Sequence, residues 1–196
     1  MYLQASPAPL DASGAAGVIA LLSSDFLCVA NVGDCRAVLG MGAEVGGADT
    51  TPSADDDAEP KHLVAMPLSR DHKPGLAEER ARIERAGGKV QAIGQDENLG
   101  FEIVVEKVPQ RLRVSRAWGD FYFKKGWGGD GAGSINPADL VVTPLPEVRV
   151  VPRGGRELFL LLACDGVWDV MTSQEAVDFV GQGLGFNGKD AKWQCA

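Results

Sequence analysis

The stretch from Leu158 to Asp169, Leu-Phe-Leu-Leu-Leu-Ala-Cys-Asp-Gly-Val-Trp-Asp, constrains the fold more than any other part of the chain. Its apolar run of about seven residues is far too short to cross a membrane and has the length of a strand covered on both faces. The run stops on Asp165, which sets a carboxylate at a strand end, on a rigid support. Gly166 permits a sharp turn there, and Asp169 follows Asp165 by four residues, so one helical turn would bring both side chains to the same side. Two carboxylates so placed repel each other, and a bound hard cation such as Mg²⁺ or Mn²⁺ relieves that repulsion. Asp-Gly is also an ordinary turn, so the stretch taken alone admits either reading.

Read in order, the remaining chain alternates short strands with helices. Residues 1–16 are rich in Ala, Ser and Pro and are expected to form a partly disordered tail, with the domain occupying 17–196. Val18 to Leu22 and Phe26 to Val32 flank Ser23-Ser24-Asp25 and predict a β-hairpin. Cys35 to Leu39 reads as a third strand, which leaves Asp34 in a tight connection between two strands. From Gly40 to Pro60 the composition turns to Gly, Ala, Thr and Pro with an acidic run, Asp55-Asp56-Asp57. We expect an exposed acidic insertion at 40–60, a solvated loop without a scaffold to hold a cation.

Leu63 to Leu68 resumes order, and a helix is predicted over Leu76 to Ala86. Leu76, Ile83 and Ala86 supply its apolar face, and Glu78, Glu79, Arg80, Arg82, Glu84 and Arg85 its wet face, with Gly87-Gly88 as the stop. His72, alone between Asp71 and Lys73-Pro74, reads as a turn or capping residue rather than a general base. After Lys89-Val90 a polar stretch leads to a strand at Phe101 to Val105. Arg116 suits either phosphate oxygens or an internal ion pair with nearby Asp120. Gly126 to Ala138 lacks the ending of a P-loop and reads as a loop. Val141 to Val150, carrying Pro144 and Pro146, reads as an edge-like extended segment. Thr172-Ser173-Gln174-Glu175 is a capping-box pattern that starts a helix with Ala176, Val177 and Val180 on its apolar face. Lys189 to Ala196 resembles the start of another helix.

Composition excludes several classes of partner. With 196 residues, 45% of them hydrophobic, the chain suits one globular domain with a real core. A formal net charge of -8 disfavours nucleic acid or anionic membrane as the main partner. Cys28, Cys35, Cys164 and Cys195 show no Cys-x-x-Cys spacing and there are only two histidines, which speaks against structural zinc and for reduced, mostly buried thiols. No apolar stretch is long enough for a membrane helix, and no basic-then-apolar leader opens the chain. The expectation is a soluble, unsecreted monomer, cytoplasmic or nuclear, with no membrane partner.

Four stretches, in this order, then resemble a known family. They are Val29-Ala30-Asn31-Val32-Gly33-Asp34-Cys35-Arg36-Ala37-Val38-Leu39; Asp71-His72-Lys73-Pro74 with Arg82 to Val90; Ser115-Arg116-Ala117-Trp118-Gly119-Asp120; and Ala163 to Met171. The chain resembles the metal-dependent protein phosphatases of the protein phosphatase 2C type over about residues 13 to 180. The resemblance implies an α+β fold: two packed antiparallel β-sheets flanked by α-helices, an α-β-β-α sandwich, here truncated. It implies Mg²⁺ or Mn²⁺ as cofactor and phosphoserine or phosphothreonine in a phosphoprotein as substrate. The aspartate matched by Asp165 ligates the family's binuclear metal centre, and those matched by Asp34, Asp165 and Asp169 hold a further, weaker metal. The region after Gly87-Gly88 resembles the flap that helps select substrates.

The chemistry is consistent with these residues. Unassisted phosphate monoester hydrolysis is extremely slow, and paired divalent metals both generate hydroxide and stabilise charge on the phosphoryl oxygens. Aspartates without a His/Cys cluster favour Mg²⁺ or Mn²⁺ over zinc. The chain departs from the family pattern in three places. It lacks the opening Asp-Gly-His-Gly-Gly motif with its preceding Arg, and the closing Gly-Ser-x-Asp-Asn motif, and Ala15-Ala16 replaces the usual Ser-Thr or Cys-Thr. A partial domain with weak or no activity is therefore expected of this polypeptide. The alternative is a non-catalytic phosphatase-like module that binds proteins, against which the retained Asp34, Asp165 and Asp169 argue.

Overall fold

The computed structural model describes residues 13–42, 63–124 and 136–186. In chain order the elements are β1 (Gly14–Ala15), β2 (Gly17–Leu22), β3 (Phe26–Val32), β4 (Arg36–Gly42), β5 (Leu63–Pro67), α1 (Ala77–Arg85), β6 (Lys89–Ala92), β7 (Phe101–Val104), β8 (Trp118–Gly119), β9 (Glu147–Pro152), β10 (Glu157–Ala163), α2 (Asp165–Trp168) and α3 (Ser173–Gly183). β2, β3 and β9 form a three-stranded sheet in that order. The predicted β2–β3 connection forms because the Ser23 hydroxyl accepts from the Asp25 and Phe26 amides while the Ser23 N–H donates to the Phe26 carbonyl at 2.9 Å. That is the self-capping turn chemistry expected of Ser-Ser-Asp.

The chain divides into two compact units. One comprises the described residues of Met1–Ile19, Ala30–Cys35 and Arg70–Val148. Its core gathers Ile83, Val90, Ile103, Val105, Val108, Ala117, Phe123, Val141 and Val142. β6 and β7 pair as an antiparallel hairpin, Lys89 opposite Val104 and Ala92 opposite Phe101. α1 lies within the predicted range, with Leu76 in extended conformation as N-cap, acidic Glu78 and Glu79 in its first turn and basic Arg82 and Arg85 in its last. That charge order complements the helix dipole. Gly87, at φ 84°, ends the helix, and the Gly88 N–H donates to the Ile83 carbonyl at 2.9 Å.

Two expectations for this unit are corrected. Glu79 and Arg82 do not lie on a wet face: both are buried, because they satisfy each other's charge inside the unit. Order also begins before residue 17, since Gly14–Ala15 pairs antiparallel with Trp118–Gly119. Backbone pairing needs no apolar periodicity, so the Ala-rich composition hid it.

The other unit comprises Ala20–Val29 and the described residues of Arg36–Ser69 and Arg149–Ala196. β10, β4 and β5 form an antiparallel sheet in that order, with β4 central. Val38, Phe159, Trp168, Ala176 and Val177 make its core, and burying each of the larger side chains contributes about 1.5–3 kcal/mol. Gly40 sits beneath Phe159, where a Cβ would lie 2.5 Å from the ring. α3 starts with the predicted capping box: the Thr172 hydroxyl accepts from the Glu175 N–H, and the Glu175 carboxylate accepts from the Thr172 N–H at 2.8 Å.

Here too the structure departs from expectation. β10 is not covered on both faces; Phe159 is its buried residue, and Leu162 is 45% exposed. The reason is position: β10 is an edge strand of its sheet, paired with β4. Among the described residues the thiols are not mostly buried either, since Cys28 is half-buried and Cys164 exposed, with Cys35 buried. Residues 40–42 belong to β4 rather than to an insertion. Asp55-Asp56-Asp57, most of the tail, most of the Gly-rich 126–138 segment, Cys195 and 189–196 lie outside the described residues. Among the described residues no helix is long and apolar enough to cross a membrane.

Candidate functional site

Asp34 stands in the connection from β3 to β4, as the sequence predicts, and is 7% exposed. The turn depends on Gly33, whose φ is 91°, a left-handed conformation that costs glycine little. A Cβ at Gly33 would also come within 2.5 Å of the Ala16 Cβ and 3.1 Å of the Arg116 carbonyl oxygen.

The turn is gripped by the Asp71-His72-Lys73 segment. The backbone N–H of His72 donates to the Gly33 carbonyl at 2.9 Å, and the His72 Nδ1 accepts from the Gly33 N–H at 3.2 Å. Asn31 Nδ2 donates to the same Gly33 carbonyl at 3.1 Å and to the Arg70 carbonyl at 3.0 Å. Lys73 Nζ meets the Asp34 Oδ2 at 2.5 Å. His72 is fully buried, with its Nε2 3.4 Å from the Glu147 carboxylate. Burial, and then the nearby Arg116 charge, hold its pKa below the ordinary histidine value. A neutral ring protonated at Nε2 fits both contacts, leaving Nδ1 free to accept from Gly33.

Behind this turn lies a buried ionic cluster. Glu79, 1% exposed, takes Arg82 Nη1 at 2.6 Å, Arg116 Nη2 at 2.6 Å and the Ser115 hydroxyl at 2.6 Å. Arg82 spends its remaining donors on the carbonyls of Leu140 at 3.1 Å and Ser115 at 2.6 Å. Burial by itself would raise the Glu79 pKa, but the hydrogen bonds from Arg116, Ser115 and Arg82 outweigh it and hold the value at about 2. Arg116 thus belongs to an internal ion pair, with Glu79 as its partner rather than Asp120. Asp120 instead adopts a left-handed conformation at φ 49°, and burial raises its pKa against the opposing charge of Lys124. Lys124 is buried with its ammonium donating to the Ala117 carbonyl at 2.9 Å and to that of Gly119, and burial lowers its pKa to about 8.

In the second unit, Asp165 opens α2 directly after β10, and the Asp169 N–H donates to the Asp165 carbonyl at 2.8 Å. The predicted single helical turn between the two aspartates is therefore formed. Both residues are exposed. Trp168 anchors the turn: it is buried, its indole N–H donates to the Ala163 carbonyl at 2.8 Å, and the Arg36 guanidinium lies 5.0 Å from its ring centroid. Arg36 also donates to the Ser173 hydroxyl at 3.1 Å, tying the turn to the start of α3. The contacts of Arg36 with Trp168 and Ser173 join residues distant in sequence, so spacing could not show them.

Of the three aspartates singled out in the sequence, Asp165 and Asp169 share one turn of one unit, and Asp34 belongs to the other unit. Their carboxylate oxygens are the donor type that Mg²⁺ and Mn²⁺ prefer. Their number is short of a closed coordination shell: among the described residues there is no group of three or more His, Cys, Asp or Glu that could hold a metal ion. The donor chemistry fits, and the set is incomplete.

Comparison with known proteins defines the class first. A crystal structure of serine-threonine phosphatase 2C from Toxoplasma gondii superposes with a TM-score of 0.64 and 26% identity, over 89% of this chain and 49% of that one. The fold class is accordingly α+β, antiparallel sheets flanked by helices, as the family resemblance implies. The Protein phosphatase 2C family model matches residues 3–192, and the chain belongs to that family. Protein phosphatase 2C homolog 2 of Hypocrea jecorina is 35% identical over 89% of this chain and 31% of its own length. Human Protein phosphatase 1G is 34% identical over 86% of this chain and 24% of its own length. The chain thus spans about a third or less of the length of these curated relatives.

Proposed function

We propose that this chain serves metal-dependent hydrolysis of phosphoserine and phosphothreonine in proteins, with Asp34, Asp165 and Asp169 as carboxylate ligands for Mg²⁺ or Mn²⁺. The observation that carries the reading is the one-turn helix at the end of β10, which sets Asp165 at its start and Asp169 at its C-cap in a chain of this family. A bound divalent metal would supply a hydroxide nucleophile near neutral pH and neutralise phosphoryl charge. The protein's own contribution is orientation: Trp168 and Arg36 fix the Asp165–Asp169 turn, and His72, Asn31 and Gly33 fix Asp34.

The test is Mn²⁺-dependent phosphate release from a phosphothreonine peptide, measured on the natural full-length product and on the 196-residue chain. Asp165→Ala in the full-length product should cost at least about 10- to 100-fold, the loss typical even of groups one shell removed from a metal. Equal rates for Asp165→Ala and the parent would remove Asp165 from the site. Phosphopeptide binding without release in the full-length product would establish the non-catalytic reading instead.

A further inference from the structure

The first unit holds a cavity of about 270 Å³ at the end of α1, and none of the three aspartates of the proposed site lines it. Tyr122 and Phe123 give the cavity an aromatic side, and Glu106 and Asp139 each bring a carboxylate. Ala86, the C-cap of α1, and Gly87 bring the carboxyl end of that helix. These charges have one sign, since a helix C-terminus carries a partial negative charge. Among the described residues no Lys or Arg lines the cavity. Asp139 does meet Arg85, but at 3.8 Å and with both side chains more than half exposed, a loose pair that a second cation can join or displace.

The wall is built before any ligand arrives. Asp139 ends a short 3-10 turn, Pro137–Asp139, which the Asn136 side chain caps by accepting from the Ala138 N–H at 3.1 Å. The next residue, Leu140, is held through its carbonyl by the buried Arg82 at 3.1 Å. Phe123 is part of the unit's core, and Tyr122 packs half-buried against that core. Groups held this way lose little freedom when they bind.

We infer that this cavity receives an arginine side chain of a partner polypeptide. A guanidinium is planar, stacks on an aromatic ring, and has enough donors for two carboxylates at once. Cavities for drug-sized molecules run from about 300 to 1,000 Å³, so this one suits a single long side chain rather than a larger ligand. Free arginine carries the same guanidinium, but its α-carboxylate would be repelled by the acidic wall, which favours the peptide-borne form. The inference does not depend on a metal at Asp34, Asp165 or Asp169.

The test is a titration of the ¹⁵N-labelled 196-residue chain with the peptide acetyl-Gly-Gly-Arg-Gly-Gly-amide, read by amide chemical shifts. The changes should centre on Gly87, Glu106, Tyr122 and Asp139. A citrulline peptide, which keeps the shape and loses the charge, should bind at least about fivefold more weakly, and the lysine peptide and free arginine should also bind more weakly. Glu106→Gln and Asp139→Asn should each weaken binding about two- to fivefold, whereas Glu97→Gln, an equal charge change outside the cavity, should match the parent. Tyr122→Leu should cost about as much, and Tyr122→Phe should restore it. Glu106 and Asp139 are exposed, so their variants carry the test even if Tyr122→Leu does not fold. Absence of binding, equal binding of the citrulline peptide, equal weakening by Glu97→Gln, or shifts centred elsewhere would each overturn the inference. Tighter binding of the lysine peptide would overturn the guanidinium, and tighter binding of free arginine the polypeptide partner.

Discussion

The Asp34 turn and the Asp165–Asp169 turn each present carboxylate in this protein, yet they are held by opposite means. Asp34 is buried, compensated by Lys73, and backed by polar groups that are themselves buried: His72, Asn31, and the Glu79 cluster, where Arg116 joins the carboxylate. Asp165 and Asp169 are exposed, and their turn is held by packing of a single ring, Trp168, with one carbonyl and one guanidinium against it. The difference teaches that a carboxylate can be fixed by polar satisfaction or by apolar anchoring. The two should fail differently: the first sharply, because buried polar groups are left without partners, and the second gradually, because an exposed turn falls back on water.

The largest effect is expected at Glu79. Glu79→Ala leaves Arg82 and Arg116 as uncompensated charges inside the unit and should cost about 3–5 kcal/mol in urea unfolding. Acid titration probes the same group. Its folded pKa is about 2, below the ordinary value of 4.5, so its contribution is fully present above about pH 4.5 and is lost as the pH falls through 2. The parent should therefore lose stability across that window, and Glu79→Ala should be flatter there. A variant with the parent's acid profile would show that the cluster is not what acid dissolves.

A smaller loss is expected at His72. His72→Ala leaves the Gly33 N–H without its acceptor and should cost about 1–3 kcal/mol, whereas His72→Asn, whose side-chain carbonyl can take the same N–H, should recover part of it. Equal losses in both would mean that ring volume, rather than the hydrogen bond, matters there. The smallest effect is expected in the other turn. Trp168→Phe keeps the apolar anchor and loses the indole donor, for about 1 kcal/mol in the same assay. A larger loss at Trp168→Phe than at His72→Ala would reverse the contrast between the two turns.

How much of this was legible in the sequence follows the range of the interactions. Asp34, Asp165 and Asp169 were found at the turns where they stand, because Gly33-Asp34 between two apolar runs and Asp165-Gly166 after a third are signals within a few residues. The Thr172–Glu175 cap was legible for the same reason. Glu79 and Arg82 were misplaced because helical periodicity counts a charged side chain as solvated, and the groups that bury them, Ser115 and Arg116, lie 36 and 37 residues from Glu79. Arg116 was recognised as a candidate for an ion pair but assigned the neighbour in sequence instead of the neighbour in space. The apolar run of β10 looked doubly covered because composition cannot distinguish a central strand from an edge strand. The pairing of Lys73 with Asp34 has no local signal: within its Asp71-His72-Lys73-Pro74 stretch Lys73 reads as one more polar turn residue until the fold brings Asp34 to it.

The Glu79–Arg82–Arg116 cluster also restricts how this sequence can drift. Losing Glu79 strands two like charges in the interior, and losing either arginine leaves buried acceptors without their donor, whereas an apolar trio of similar volume can hold a fold as well as the ions do. Between those two solutions every single substitution passes through a poorer protein, since effects within one network do not add. Lineages carrying this cluster would keep it even if each ion pair contributed nothing net to stability, and its persistence would record the depth of the valley around it.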